Sequence, residues 1–156
     1  MYEGALRVAA LELKEKPFIA LRLKNLLTKV LHKSPFDQTT RIIPVPLHPN
    51  RFRERGFNQA AVLGGILSRE SKLQMSENCL VREVYTKLHR GGMDEKARRE
   101  TVEKSFVVRQ PRLVEKEKIL LVDDVFTSGA TASACAKALK ESGANEVFVL
   151  TIARAV

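Results

Sequence analysis

The segment Ile119 to Thr131, ILLVDDVFTSGAT, constrains the fold of this chain more tightly than any other stretch. Four apolar residues in a row read as a strand buried on both faces, the situation in a parallel sheet covered by helices. The strand runs into two adjacent carboxylates, Asp123 and Asp124, and then into a short Thr/Ser/Gly turn that opens a helix near Ala130. Junctions of this kind lie at the C-terminal edge of a parallel sheet, where α/β folds hold their ligands. Backbone N–H groups of Thr127, Ser128, Gly129, Ala130 and Thr131, helped by the hydroxyls of Thr127, Ser128 and Thr131, meet the positive end of the helix and suit a phosphate monoester. Gly129 lets the backbone approach closely. Side by side, Asp123 and Asp124 repel unless they accept ribose hydroxyl hydrogen bonds or help to hold a divalent cation. A sugar phosphate fits both halves. Simple helix capping is the alternative, since Asp, Ser and Thr are favoured caps, but it accounts for a single side chain of the cluster.

A second junction of the same type lies upstream. Arg41 to Pro46 is a short apolar strand whose prolines end its pairing around Pro44 to Pro46. A basic loop follows with Arg51, Arg53 and Arg55, then Gly56, Phe57 and the good N-cap Asn58, which opens a helix over Gln59 to Glu70. Three guanidiniums beside a helix N-terminus form an oxyanion receptor, and pyrophosphate is its natural guest. The competing description is a solvated basic loop, or one in which Arg51 and Arg55 are taken up in ion pairs with Glu54 and Glu70.

The rest of the pattern alternates helix and strand. Two helices are expected before His32, with Leu6, Ala9, Ala10 and Leu13 on one core face and Leu23, Leu26, Leu27, Val30 and Leu31 on the next, Pro17 suiting the second helix's start. Ala60, Ala61, Leu63, Gly64 and Leu67 can face a sheet, and the glycines of that helix permit close packing. Leu80 to Tyr85 and Ser105 to Val108 read as strands, with a short helix around Asp94 to Glu103 between them. Thr131 to Ser142 is the helix behind the turn, Gly143 its stop, and Glu146 to Ile152 the closing strand. The expected class is α/β, a mainly parallel sheet flanked by helices, in one domain spanning 1–156 with a helical N-terminal portion over 1–33.

Composition narrows the partners. Against 18 acidic residues stand 27 Lys and Arg, a formal charge of +9, which favours anionic partners without choosing among sugar phosphate, nucleotide and nucleic acid. Cys79 and Cys135 form no Cys-x-x-Cys pair and lie in apolar contexts, as buried thiols of a reducing compartment do. Neither a membrane span nor a signal peptide is expected, and the expected location is the cytoplasm.

The stretch Ile119 to Thr131 closely resembles the PRPP-binding signature of type I phosphoribosyltransferases, PRPP being 5-phosphoribosyl pyrophosphate. Pro44 to His48, Arg53 to Gln59 and Val122 to Thr131 are similar, in order and spacing, to motifs of the ComF-like competence-associated family of phosphoribosyltransferase homologues. The similarity reaches Leu13-Lys14 at the end of the first helix and so covers nearly the whole chain. Two departures stand out: the four-cysteine zinc ribbon of many family members is absent, and His89 and Thr101 replace a Gln and an Asn that the family usually carries.

The resemblance implies a type I phosphoribosyltransferase-like fold with Asp123 and Asp124 as the catalytic acids, aided by Mg²⁺ held through them and bound PRPP. Val125, Phe126, Thr127, Ser128, Gly129, Ala130 and Thr131 would bind the ribose 5-phosphate, and Arg51, Arg53, Arg55, Gly56 and Asn58 the pyrophosphate. A flexible hood over 86–104, hinged at Gly91 and Gly92, would bring Thr86, Lys87, Arg90, Arg98 and Arg99 over the reaction centre. His89 reads as a solvated loop histidine rather than a base. The implied activity is transfer of phosphoribosyl from PRPP to a nitrogen acceptor, with a link to DNA uptake; the alternative is a non-catalytic sensor of PRPP or nucleotide, or a single-stranded DNA-binding competence protein. Expected partners are PRPP or a related sugar phosphate, nucleic acid, and a second copy of the chain in a dimer, with no membrane.

Overall fold

Lys118–Phe126 is the strand around which the other elements are arranged. The computed structural model describes residues 2–83 and 105–154. In chain order the elements are helices α1 (Tyr2–Glu15) and α2 (Leu21–Leu31), strand β1 (Arg41–Pro44), helices α3 (Pro49–Arg55) and α4 (Gln59–Ser71), strands β2 (Gln74–Met75), β3 (Leu80–Arg82), β4 (Phe106–Val108) and β5 (Lys118–Phe126), helix α5 (Ala130–Glu141) and strand β6 (Glu146–Arg154). Strands β2, β1, β5 and β6 form one parallel sheet in that order, while β3 and β4 pair antiparallel apart from it. The expected α/β class with a mainly parallel sheet is the one observed.

Successive strand residues point to opposite faces, and β5 uses both. Ile119 and Leu121 join Ile43, Leu80, Phe106 and the α5 residues Ala134, Cys135 and Leu139 in one buried layer. Leu120 and Val122 join Ile42, Leu150 and Ile152 with Leu13 of α1, Leu23, Leu27 and Leu31 of α2, and Leu63 and Leu67 of α4 in the other. Ile119, Leu120 and Leu121 are wholly buried, each contributing ~1.5–3 kcal/mol of apolar transfer. Both cysteines are buried free thiols. Gly64 of α4 approaches the sheet so closely that an added Cβ would lie 2.8 Å from Met75 Sδ, whereas Gly65 faces open space.

Four sequence expectations change. Pro17 does not start α2, which begins four residues later; a proline disfavours helical geometry at the residue before it, and here it follows the end of α1. Leu26 is 43% exposed, because Leu23, Leu27 and Leu31 already fill the narrow buried stripe of α2. The basic loop contains a helix, α3. And β5 does not stop at Val122, since β6 keeps pairing with it as far as Phe126↔Arg154. Among the described residues no helix is long and apolar enough to cross a membrane.

Candidate functional site

Both junctions open at the same edge of the sheet. β1 and β5 are neighbours whose last paired residues are Pro44 and Val122, and the Val45 N–H donates to the Val122 carbonyl at 2.9 Å just beyond. From there β5 continues with β6 alone, through Asp123↔Thr151 and Val125↔Ala153. At this point Asp123 Oδ1 accepts from the Asp124 N–H at 2.9 Å, and Asp124 Oδ1 accepts from the Val125 N–H at 2.8 Å. The carboxylates therefore provide backbone acceptors where β1 no longer runs alongside.

Their electrostatics are uneven. Burial first, and then the Asp124 charge, push the Asp123 carboxyl up to about 7, while the Asp124 N–H and the Lys14 ammonium pull it partly back. Lys14 stands in the last turn of α1, brought here because Leu13 is buried in the layer that holds Val122 and Ile152. In the sequence Leu13-Lys14 stands out only within a resemblance; a lone lysine at a helix end carries no signal of a carboxylate a hundred residues away. Behind the acids, burial pushes the Cys135 thiol up as well, with the Asp123 charge adding to the effect.

The turn after the acids is shaped by Gly129. Its φ of +78° lies in the left-handed region, and an added Cβ would stand 2.7 Å from the Phe126 ring. Arg154 of β6 covers the same ring, its guanidinium carbon 5.6 Å from the centroid. Gly129 is itself the N-cap of α5 and has no side chain to cap with, while Ser128 Oγ accepts from the Ala130 N–H at 3.4 Å. Capping therefore accounts for the Ser128 hydroxyl alone and not for the rest of the Thr/Ser cluster. Thr127 and Ser128 are exposed, and Val125, Phe126, Ala130 and Thr131 are half-buried around the turn.

The arginines are held differently from the sequence expectation. His48 Nδ1 accepts from the Asn50 N–H at 3.2 Å, Pro49 supplies a favourable first position, and Gly56, at φ +80°, ends the helix with its N–H on the Phe52 carbonyl. Short end signals make α3 helical with no buried residue of its own. Helix geometry sets Arg51 and Arg55 toward one side and Arg53 toward the other. Arg51 pairs with Glu54 at 3.9 Å and Arg53 approaches Asn50 Oδ1 at 3.5 Å, while Glu70 is taken by Lys24 at 2.7 Å. Asn58 caps α4 as expected: its Oδ1 accepts from the Ala60 N–H and its Nδ2 donates to the Val45 carbonyl, both at 3.0 Å. Thr86, Lys87, His89, Arg90, Arg98 and Arg99 lie outside the described residues.

No protein-family model matches the chain. It is 36% identical over 115 residues to Competence protein F of Haemophilus influenzae, covering 73% of this chain and 50% of that protein. It is 31% identical over 154 residues to DNA utilization protein YhgH of Escherichia coli O157:H7, covering 96% of this chain and 66% of that protein. The chain thus spans from half to about two-thirds of the length of these relatives. Among solved structures, an adenine phosphoribosyltransferase from Thermoanaerobacter pseudethanolicus superposes with a TM-score of 0.54 over 85% of this chain and 66% of that one, at 14% identity, a likeness of fold alone. With the acid pair, the glycine turn and the arginine helix at one sheet edge, and with these relatives, the chain belongs to the ComF-like competence-associated family of type I phosphoribosyltransferase homologues.

Proposed function

We propose that the chain binds PRPP with Mg²⁺ at the C-terminal edge of β1 and β5 and transfers its phosphoribosyl group to a nitrogen acceptor, releasing pyrophosphate, in the cytoplasm. One observation carries this reading: a half-buried, charge-crowded acid pair runs directly into a left-handed glycine turn whose N-cap, Gly129, has no side chain to offer the helix. Two carboxylates want hydroxyl or cation partners, and a helix start with a glycine N-cap leaves N–H groups for an anion. A ribose 5-phosphate offers all of these within one molecule.

In this reading Asp123 and Asp124 take the ribose hydroxyls, and the turn from Val125 to Thr131 takes the 5′-phosphate. Among the described residues no three His, Cys, Asp or Glu groups gather to hold a metal unaided. The acid pair fits as part of an oxygen donor set for Mg²⁺, completed by the ligand, and the cation would offset charge on the pyrophosphate. Arg51, Arg53 and Arg55 would stabilise that leaving group electrostatically. Gly56 ends their helix, and Asn58, its amide spent within the fold, fixes the start of α4. Thr86, Lys87, Arg90, Arg98 and Arg99 would close over the site. The C1–O bond breaks with its electron pair going to pyrophosphate, a C1–N bond forms, and the acceptor nitrogen gives up a proton.

A second reading, single-stranded DNA binding with or without turnover, draws on the relatives' names and on Phe52. This ring is 47% exposed between Arg51 and Arg53, an aromatic flanked by cations of the kind on which bases stack. Calorimetry separates the readings. PRPP with Mg²⁺ should stabilise the chain by ~2.7 kcal/mol at a hundredfold excess over Kd. Replacing Arg51, Arg53 and Arg55 with Ala should weaken PRPP far more than ribose 5-phosphate, which lacks the leaving group. Equal loss for both ligands rejects the pyrophosphate assignment, and no thermal shift at millimolar PRPP rejects the proposal. If the arginines track DNA instead, PRPP binding survives and the salt slope of DNA binding falls by ~0.7 per lost contact.

A further inference from the structure

The two edges of the parallel sheet are built differently. At one edge β2 pairs over only Gln74 and Met75, and so short a strand offers little to a foreign chain. The other edge is β6, nine residues long, with β5 on one side and no strand on the other among the described residues. Its register with β5 holds from Lys118↔Glu146 to Phe126↔Arg154, so no bulge bends it away. Between its ends, the run VFVLTIA carries no charge, proline or glycine, and Val147, Phe148, Val149, Thr151 and Ala153 are only partly buried. Among the described residues, the interior of β6 lacks the charge, proline and bulge that usually protect an edge strand. Charge occurs solely at the two ends, with opposite signs: Glu146, which also meets Lys118 at 3.4 Å, and Arg154, whose guanidinium lies over Phe126.

We propose that β6 pairs antiparallel with β6 of a second copy about a two-fold axis at Leu150, joining two sheets into one. In that register Glu146 opposes the partner subunit's Arg154 at each end of the seam, and Leu150 lies on the axis. Slipping by two residues would leave both charges opposite apolar side chains, and parallel pairing would bring like ends together. Charge therefore selects one register of an interface in which the same surface serves both copies. The axis keeps both α1 helices on one face of the joined sheet. α1 packs on β6 and leaves Val8 and Leu11 each 53% exposed, apolar surface for a copy to cover. The seam also reaches the ligand edge, because Arg154 lies over Phe126, the ring against Gly129.

Light scattering after size exclusion should find a concentration-dependent dimer of the whole chain. Glu146→Lys and Arg154→Glu each set like charges face to face at both ends and should raise the dimer dissociation constant about tenfold or more. Mixed in equal amounts, the two variants oppose unlike charges again and should associate nearly as tightly as the unaltered chain. A structural role for either residue would not predict recovery on mixing. Hydrogen exchange on the unaltered chain needs no variant: the β6 amides facing away from β5 should slow at high concentration and exchange quickly on dilution. A monomer at every concentration with those amides fast, a dimer indifferent to both reversals, or a mixture no better than its components overturns the proposal. So does a seam occupied only when a different protein's strand is supplied.

Discussion

At the scale of single residues, Asp123 shows how a carboxylate can be placed at a cost to the fold. Its ordinary value is 3.8, and burial with the Asp124 charge raises it to about 7 in the folded chain. The native state then binds a proton that the unfolded chain has already released. The resulting penalty is absent below about pH 4, accumulates as pH rises from there, and is complete above about pH 7. Asp123→Asn should therefore melt higher than the unaltered chain above neutral pH, with the gap closing toward about pH 4. A tenfold change in proton affinity corresponds to ~1.4 kcal/mol, so even a modest part of this rise gives a readable difference in melting. The same substitution, combined with Asp124→Asn, should lower PRPP affinity while the fold persists; unchanged affinity would make the pair structural. The acids themselves are visible in the sequence. Lys14, which tempers Asp123, is not visible there as their neighbour, because its proximity depends on how α1 lies on the sheet.

Among the elements, the two strand-to-helix junctions are unequally legible. The turn before α5 is local: an apolar run, two acids and a glycine leave few conformations for the chain, and Gly129 adopts the left-handed one. Gly129→Ala should cost ~1–2 kcal/mol through positive φ, with the Phe126 clash added, and should reduce PRPP affinity. Gly65→Ala is the control, because nothing lies within 4 Å of its added Cβ and a helix interior gains up to ~1 kcal/mol from the exchange. Thermal melts of the two variants should move in opposite directions. The α3 helix is harder to foresee. Its seven residues have no apolar periodicity, and its helical form rests on His48, Pro49 and Gly56 at its ends. In the sequence those residues look like a strand end and a turn, and the three arginines look like one cluster, whereas the helix distributes them around its axis.

For the whole molecule, α1 and α2 are part of the core rather than an appendage. Leu13 is wholly buried in the same layer as Leu120, Val122, Leu150 and Ile152, so Leu13→Ala should destabilise the entire sheet by ~2–5 kcal/mol, measured as one cooperative denaturant transition. A separate early transition, with the sheet intact, would show that α1 is dispensable. Legible along the chain are the α/β class, the buried strand through Val122, the cap at Asn58, the helix stop at Gly143, and the glycine turn beside two acids. These are local matters, set by periodicity of two or 3.6 and by the few residues that tolerate special backbone angles. Only the packed chain reveals that β5 extends to Phe126, that Lys14 approaches Asp123, that Leu26 remains exposed, and that no strand among the described residues pairs with the outer side of β6. Each of those depends on a neighbour distant along the chain, whose position is chosen by burying apolar surface over the whole sheet, and no local pattern encodes that choice.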